Sequence, residues 1–354
     1  MTSLTFDMAA MTHFMVDLLN IPSPTGYHPE AIAFTKQAFA ALNLPDFSIT
    51  ETRKGALLMT WRGTAGENPV GLTAHLDTLG FMVKEIKGDG NLRLSALGGI
   101  NWSGAEFENC TVRTYDNRRY RGTILLTNPS THVNRDAHKK ERNDETMELR
   151  LDVRTNSKAD TEKLGISVGD FVFLDPRVEV IETGFIRSRF LDDKAGVAVI
   201  YGALAALNAA GLKPAQDTVI LIANYEEVGH GGSAGFPDNL AELLAIDMGA
   251  IGQGQNGDEF SVSICVKDGG GPYHLDMNNK LRRLADTHAI DYRTDIYVYY
   301  SSDGTAYWRA GGDAKVGLIG PGVSGSHGYE RTHKDALHHS AHLIARYLLE
   351  EVAR

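Results

Sequence analysis

An α/β fold, a mixed sheet packed between helices and interrupted by an all-β insertion, is what this sequence predicts, on three observations. Strand-like apolar runs alternate with helix-periodic stretches at both ends of the chain. Helix periodicity disappears between about residues 84 and 183, where short alternating runs take over. The length of 354 residues exceeds the roughly 250–300 at which single hydrophobic cores stop growing, so two domains are expected.

Taken in order, the chain opens with an apolar-periodic stretch up to Leu19, a turn in "NIPSPTGYHPE" and a second helical stretch over 31–42. "NPVGLTAHLD" reads as a buried strand. The runs "NLRLSAL", "CTVRTY", "RGTILLT", "TMELRLDV", "DFVFLDP" and "VEVIETG" then carry the β-rich segment. After Phe190 the alternation resumes: "AGVAVIYGALAALNAAG" as a helix, "DTVILIANY" and "LLAIDMG" as strands, and "ALHHSAHLIARYLLEEVAR" as a C-terminal helix.

Bulk chemistry narrows the function. A net charge of −10 opposes non-specific binding to nucleic acid or an anionic membrane. Cys110 and Cys265 lie far apart and in no Cys-x-x-Cys arrangement, so any metal must be held by imidazole and carboxylate. No run approaches the roughly 20 apolar residues of a membrane span, and the N-terminus lacks a secretory pattern, which gives a cytoplasmic expectation. The Gly-rich "DGGGPYH" lacks the strand-to-helix context and lysine of a phosphate loop.

The chemistry-bearing residues gather at strand ends. "TAHLDTLGFMV" places His75 and Asp77 after an apolar run, "TVILIANYEEVGHGG" ends in Glu226 and Glu227, and "LLAIDMG" ends in Asp247. "RFLDDKAG" sets Asp192 and Asp193 ahead of a helix. In open α/β sheets the ligand crevice lies beyond the carboxyl ends of the strands. Each group alone also fits a cap or a solvated face. Carboxylates crowded beside apolar strand ends repel one another unless cations neutralise them, and a pair of divalent ions would do so.

The ordered motifs "AHLDTLGFMV", "LDDKAG", "EEVG", "DMG" and a late histidine resemble the co-catalytic metallopeptidase family of tetrahedral, deblocking and glutamyl aminopeptidases, over nearly the whole chain. The resemblance implies a zinc-aminopeptidase-like catalytic domain of residues 1–83 plus 184–354, with residues 84–183 forming an inserted β-barrel-like dimerisation domain. It implies two divalent metal ions, zinc foremost, with cobalt or manganese also suited to the N and O donor set. Carried onto this chain, it makes His75 a ligand of one metal, Asp192 the bridging carboxylate, and Glu227 and Asp247 a further ligand each. Glu226 becomes the general base, and Asp77 accepts a hydrogen bond from the far ring nitrogen of His75. The family's last ligand sits in an Arg-Tyr-Ile-His-Ser-like stretch, which "YERTHKDAL" matches at His333; His327 is the reserve, ahead of His338 and His339.

Some positions depart from the family pattern. Thr78 stands where Glu is usual, His230 and Gly231 replace an aliphatic and a basic residue, and "GVSGSHGYERTH" replaces a segment of Ile-Pro-Thr character. His230 is a candidate for facing substrate, and Asp303 in "SSDGTAYW" for holding a substrate amine. The expected activity is removal of N-terminal residues from short peptides by an enzyme that self-associates through the insertion, with dimers building a hollow dodecamer. A specialised amidase or deacylase acting on a small peptide-like metabolite is the second reading, and a non-catalytic scaffold the third.

Overall fold

The computed structural model describes residues 3–352. Its main sheet is mixed and runs, edge to edge, through Phe47–Glu51, Leu57–Trp61, Gln216–Ala223, Ala65–His75, Glu242–Ile246, Lys315–Ser324, Glu330–His333, Phe185–Ser188 and Glu179–Val180. The four strands from Gln216–Ala223 to Lys315–Ser324 are parallel to one another, and the flanking pairs are antiparallel. Strands buried on both faces need apolar residues at consecutive positions, which is why "LLAI" and "VILIA" lack alternation.

The period of two still sorts the faces. In Glu242–Ile246, Leu244 and Ile246 join the core beneath the helices Met8–Leu19, Leu191–Ala209 and Lys334–Leu348, whereas Leu243 and Ala245 join Tyr307 and Trp308 of Asp303–Arg309 on the opposite face. The helix Leu191–Ala209 is apolar nearly all round and correspondingly buried, the pattern of a helix wholly inside a domain. Met8–Leu19 begins where the Asp7 carboxylate accepts the Ala10 N–H at 2.9 Å, and Pro29–Ala41 begins on a proline, which suits the first turn.

The insertion is a closed six-stranded barrel in the order Gly80–Ile86, Leu92–Leu97, Met147–Leu151, Arg119–Leu126, Asn109–Arg113 and Phe171–Leu174. Closure removes exposed strand edges. The alternating runs supply its interior, with Phe81, Val83, Leu92, Leu94, Val112, Ile124, Leu149 and Val172 buried. Its first strand continues directly from the His75 turn. Short helices interrupt the otherwise β-rich segment: Trp102–Ala105, and Lys158–Lys163, capped by Ser157 onto the Asp160 N–H at 3.2 Å. Among the described residues, no helix is long and apolar enough to cross a membrane.

Candidate metal centre

Parallel pairing brings the predicted strand ends together. His75 pairs with Ala223, so the turn holding Glu226 and Glu227 leaves the sheet beside it. Thr73 pairs with Ala245 two residues before Asp247. Asp192 and Asp193 enter from the first turn of Leu191–Ala209, joined by a cis peptide. All are buried or nearly so; Glu226 keeps 12% of its side chain exposed and Glu227 4%.

The two oxygens of Asp192 face different imidazoles. Oδ1 lies 3.2 Å from His75 Nε2, and Oδ2 lies 3.5 Å from His327 Nε2. The same His327 nitrogen is 3.5 Å from Glu227 Oε2, and His75 Nε2 is 3.7 Å from Glu226 Oε2. In both rings the other nitrogen meets a backbone carbonyl: His75 Nδ1 at 2.9 Å from Asp77 O, and His327 Nδ1 at 2.9 Å from Gly99 O. A carbonyl oxygen only accepts, so each Nδ1 is the donor. In the neutral ring the Nε2 lone pair then points into the carboxylates, an orientation that a cation between them stabilises.

The spacing fits such a cation. Ligand atoms about 2.0–2.1 Å from a tetrahedral zinc ion are about 3.3 Å from one another. His75, Asp192 and Glu227 form one group able to hold an ion, and His75, Asp193 and Asp247 form another. Asp193, however, already accepts backbone N–H groups from His75 at 3.2 Å and Gly196 at 3.1 Å, which makes it the support beneath the His75 strand end.

Electrostatics carries the same message. Burial and the neighbouring acids push Asp247 up to about 8 and hold Glu226 and Glu227 well above the usual carboxylate range. Asp192 moves the other way: burial opposes its ionisation, but His327 and His75 outweigh it and hold it below the usual range. Hydrogen bonding to Asp192 lifts His327 to about 10 against its own burial. The protein alone leaves this cluster short of positive charge, a shortage divalent cations relieve. The centre opens into a cavity of about 600 Å³ whose far wall is Met248, Ala250, Tyr297, Val298, Tyr299 and Tyr300.

Several expected residues lie elsewhere or act differently. His333 is outside the cluster: its Nδ1 caps Lys334–Leu348 by accepting the Asp335 N–H at 3.1 Å, its Nε2 faces Thr183 O at 2.9 Å, and its ring packs on Phe185 and Phe260. The late histidine in the cluster is His327, six residues earlier, held in a loop at φ +65°. His338 and His339 ride the C-terminal helix, where His338 packs against Phe6. The Asp77 carboxylate is 3.7 Å from His75 Nδ1, which bonds the Asp77 carbonyl instead; the carboxylate accepts from Thr25 Oγ1 at 2.7 Å and the Glu226 N–H at 3.1 Å.

Asp303 is buried behind the site, accepting from the Gly232 N–H and from Thr73 Oγ1, and does not line the cavity. His230 turns away, stacking on Tyr225 beside Lys54 in a separate groove. Thr78 is buried, its hydroxyl donating to Leu79 O at 3.1 Å. Sequence reasoning missed Gly99, which fixes His327, and Ser326, whose hydroxyl donates to Asp192 Oδ2 at 2.9 Å. Phe190 and Tyr225, each just ahead of an acidic motif, share with His327 a left-handed backbone, a conformation concentrated at functional sites.

The family described as M42 glutamyl aminopeptidase matches residues 55–343. YhfE of Bacillus subtilis (strain 168), a protein named as an aminopeptidase, is 47% identical over 334 residues, covering 94% of this chain and 95% of its own. Among solved structures, aminopeptidase APDkam598 from the archaeon Desulfurococcus kamchatkensis superposes with a TM-score of 0.86 at 22% identity, covering 97% of this chain and 96% of that one. The TET1 peptidase of Pyrococcus horikoshii, described as assembling into a tetrahedron or a large octahedral shell, gives 0.82 at 20% identity over 96% of this chain and 100% of that one.

Proposed function

Because the chain belongs to the M42 glutamyl aminopeptidase family, and is therefore a peptide hydrolase, we propose that it removes N-terminal residues from short peptides at a di-metal centre held by His75, Asp192, Glu227, Asp247 and His327. The observation that carries the ligand assignment is Asp192, whose two oxygens face the Nε2 atoms of two rings anchored through Nδ1. On this reading Asp192, which faces both rings, would serve both ions, and His75, Asp247, Glu227 and His327 would be the remaining residues that hold them.

Divalent cations bound there supply Lewis acidity toward the scissile carbonyl and a water of lowered pKa. The chain supplies the rest. Glu226, beside His75 and lining the cavity, takes the proton from the attacking water and returns it to the departing amine as the C–N bond breaks. Its position is set by Asp77, which accepts the Glu226 N–H and so connects the His75 turn to the Glu226 turn. On the same reading the inserted barrel pairs subunits and the pairs build a larger assembly, a reading supported by the shells into which the TET1 peptidase is described as assembling.

The test is release of product from matched free-amine and N-acylated di- and tripeptides by chelator-stripped protein with zinc, cobalt or manganese restored singly. Cleavage of the free-amine set alone, and only after metal is restored, supports the proposal. Activity confined to blocked substrates overturns the exopeptidase reading in favour of an amidase. Glu226→Gln that binds metal normally yet keeps full activity removes Glu226 from the mechanism.

A further inference from the structure

We infer that Glu330 is the positioning residue that fixes the spacing of the two halves of the metal centre, by clasping the backbone of Asp192 and of His327 with a single carboxylate. This rests on the ligand set proposed above and assigns a role to a residue outside it.

The register of the sheet edge puts Glu330 there. Glu330–His333 pairs antiparallel with Phe185–Ser188, and Glu330 lies opposite Ser188, four residues before Asp192. The side chain is buried at 2% exposure. Its Oε2 accepts the Asp192 N–H at 3.2 Å, and its Oε1 accepts the His327 N–H at 3.3 Å. Each oxygen therefore holds the main chain of a different ligand-bearing segment, and the segments lie far apart in sequence.

Both segments need holding. His327 occupies a left-handed backbone conformation that a non-glycine residue disfavours, in the loop between Lys315–Ser324 and Glu330–His333. Asp192 departs from helical geometry inside the first turn of its own helix, so its N–H has no regular helical role. The loop is further pinned where buried Arg189 donates to Gly328 O at 3.2 Å. Ser326 Oγ on Asp192 Oδ2 and Arg189 on Gly328 O also join the two segments, but Glu330 accepts from the main-chain N–H of both ligand-bearing residues. A carboxylate there is costly beside the Asp192 carboxylate, and an apolar residue would fill the space without that repulsion. Two backbone N–H donors converging on one side chain require an acceptor oxygen at each arm, which a carboxyl group offers and a carboxamide, whose nitrogen only donates, does not.

The measurement is calorimetric and visible-absorption titration of metal-free wild type and Glu330→Gln with cobalt, together with thermal unfolding of both metal-free proteins. In the variant an amide NH₂ faces one of the two N–H donors. The expected result is two cobalt equivalents bound by wild type, and at least a tenfold loss of affinity for one of them in the variant, with the metal-free unfolding midpoint little changed. Equal affinity for both equivalents in the folded variant overturns the inference. If metal-free Glu330→Gln does not fold, Glu330→Asp, which keeps the charge but cannot reach both amides, must show the same selective loss, and two wild-type affinities there overturn it. Wild type that binds no cobalt pair instead overturns the ligand set of the proposed function.

Discussion

His327 Nδ1 donates to the carbonyl oxygen of Gly99, 2.9 Å away, so a residue that follows a strand of the barrel sets the tautomer and direction of a side chain beside the main sheet. The contact spans 228 positions of sequence. It aims Nε2 at Asp192 and Glu227, and gives the segment that carries the barrel a part in building the candidate metal centre.

The two late histidines can be separated by substitution. His327→Ala is expected to lower affinity for one metal equivalent and to reduce kcat/KM by about a hundredfold or more, as loss of a direct ligand should exceed the 10–100-fold cost of losing an outer partner. His333→Ala is expected to retain both metal equivalents and activity and to lose about 1 kcal/mol of stability, the usual size of a lost helix cap. Metal titration with urea unfolding of each variant checks both. Reversed outcomes would return the ligand to His333.

Asp77 makes a different prediction from the one its spacing suggests. Since His75 Nδ1 bonds the main-chain carbonyl, Asp77→Asn leaves that bond intact and disturbs the carboxylate's hold on Thr25 and the Glu226 N–H. Metal content is expected to stay near wild type while kcat falls about tenfold or more, in the range typical of outer partners. Loss of metal with kcat per bound metal unchanged would show that the carboxylate acts through His75 after all.

These cases mark how far the sequence was legible. Strand ends at His75, Glu226, Glu227 and Asp247 could be read because a parallel sheet delivers its carboxyl ends to one crevice, and apolar runs mark where strands stop. Asp192 was legible as an acid opening an apolar helix. The sequence pointed to His333, whereas the structure sets His327 beside Asp192 and Glu227; that residue lies in a loop without periodicity, where only a motif register could be matched, and "GVSGSHGYERTH" departs from that motif. Gly99, Ser326 and Glu330 act through contacts that depend on how the barrel segment and the edge hairpin dock, which no local pattern encodes. Asp303 and His230, expected to face substrate, instead turn their side chains to Thr73 and Tyr225 and line no part of the cavity.

Gly231 leaves no room for a side chain in the turn after Glu226. A Cβ there would stand 2.4 Å from Asp303 Oδ1 and 2.9 Å from the Glu226 nitrogen, so the turn after Glu226 closes against Asp303 only without one. Gly231→Ala is expected to displace Glu226 and lower kcat about tenfold or more, since small misplacements of a catalytic group are costly. Gly88→Ala, where a Cβ meets open space, is the control and should leave kcat unchanged. Steady-state kinetics on a free-amine dipeptide decides; equal kcat for the two variants would mean the turn yields without moving Glu226.

The far side of the molecule carries a pH-dependent contribution to stability. His342, on the C-terminal helix, accepts from Arg346 Nε at 3.1 Å, and packs near His338 and His288 and against Phe6. Burial first, then the Arg346 charge and the neighbouring histidines, lowers its pKa to about 4; His338, His339 and His288 are lowered in the same direction. An unfolded histidine titrates near about 6.5, so below that pH the unfolded chain takes up a proton that the folded one refuses until about pH 4. Stability from His342 is therefore fully present above about 6.5, falls as pH drops from about 6.5 to about 4, and levels off below. His342→Gln keeps an acceptor for Arg346 and removes the titration, so its stability should fall less steeply across that window than wild type. Urea unfolding of the two metal-free proteins at a series of pH values reads the difference directly, and parallel curves would show that His342 takes up its proton equally in both states.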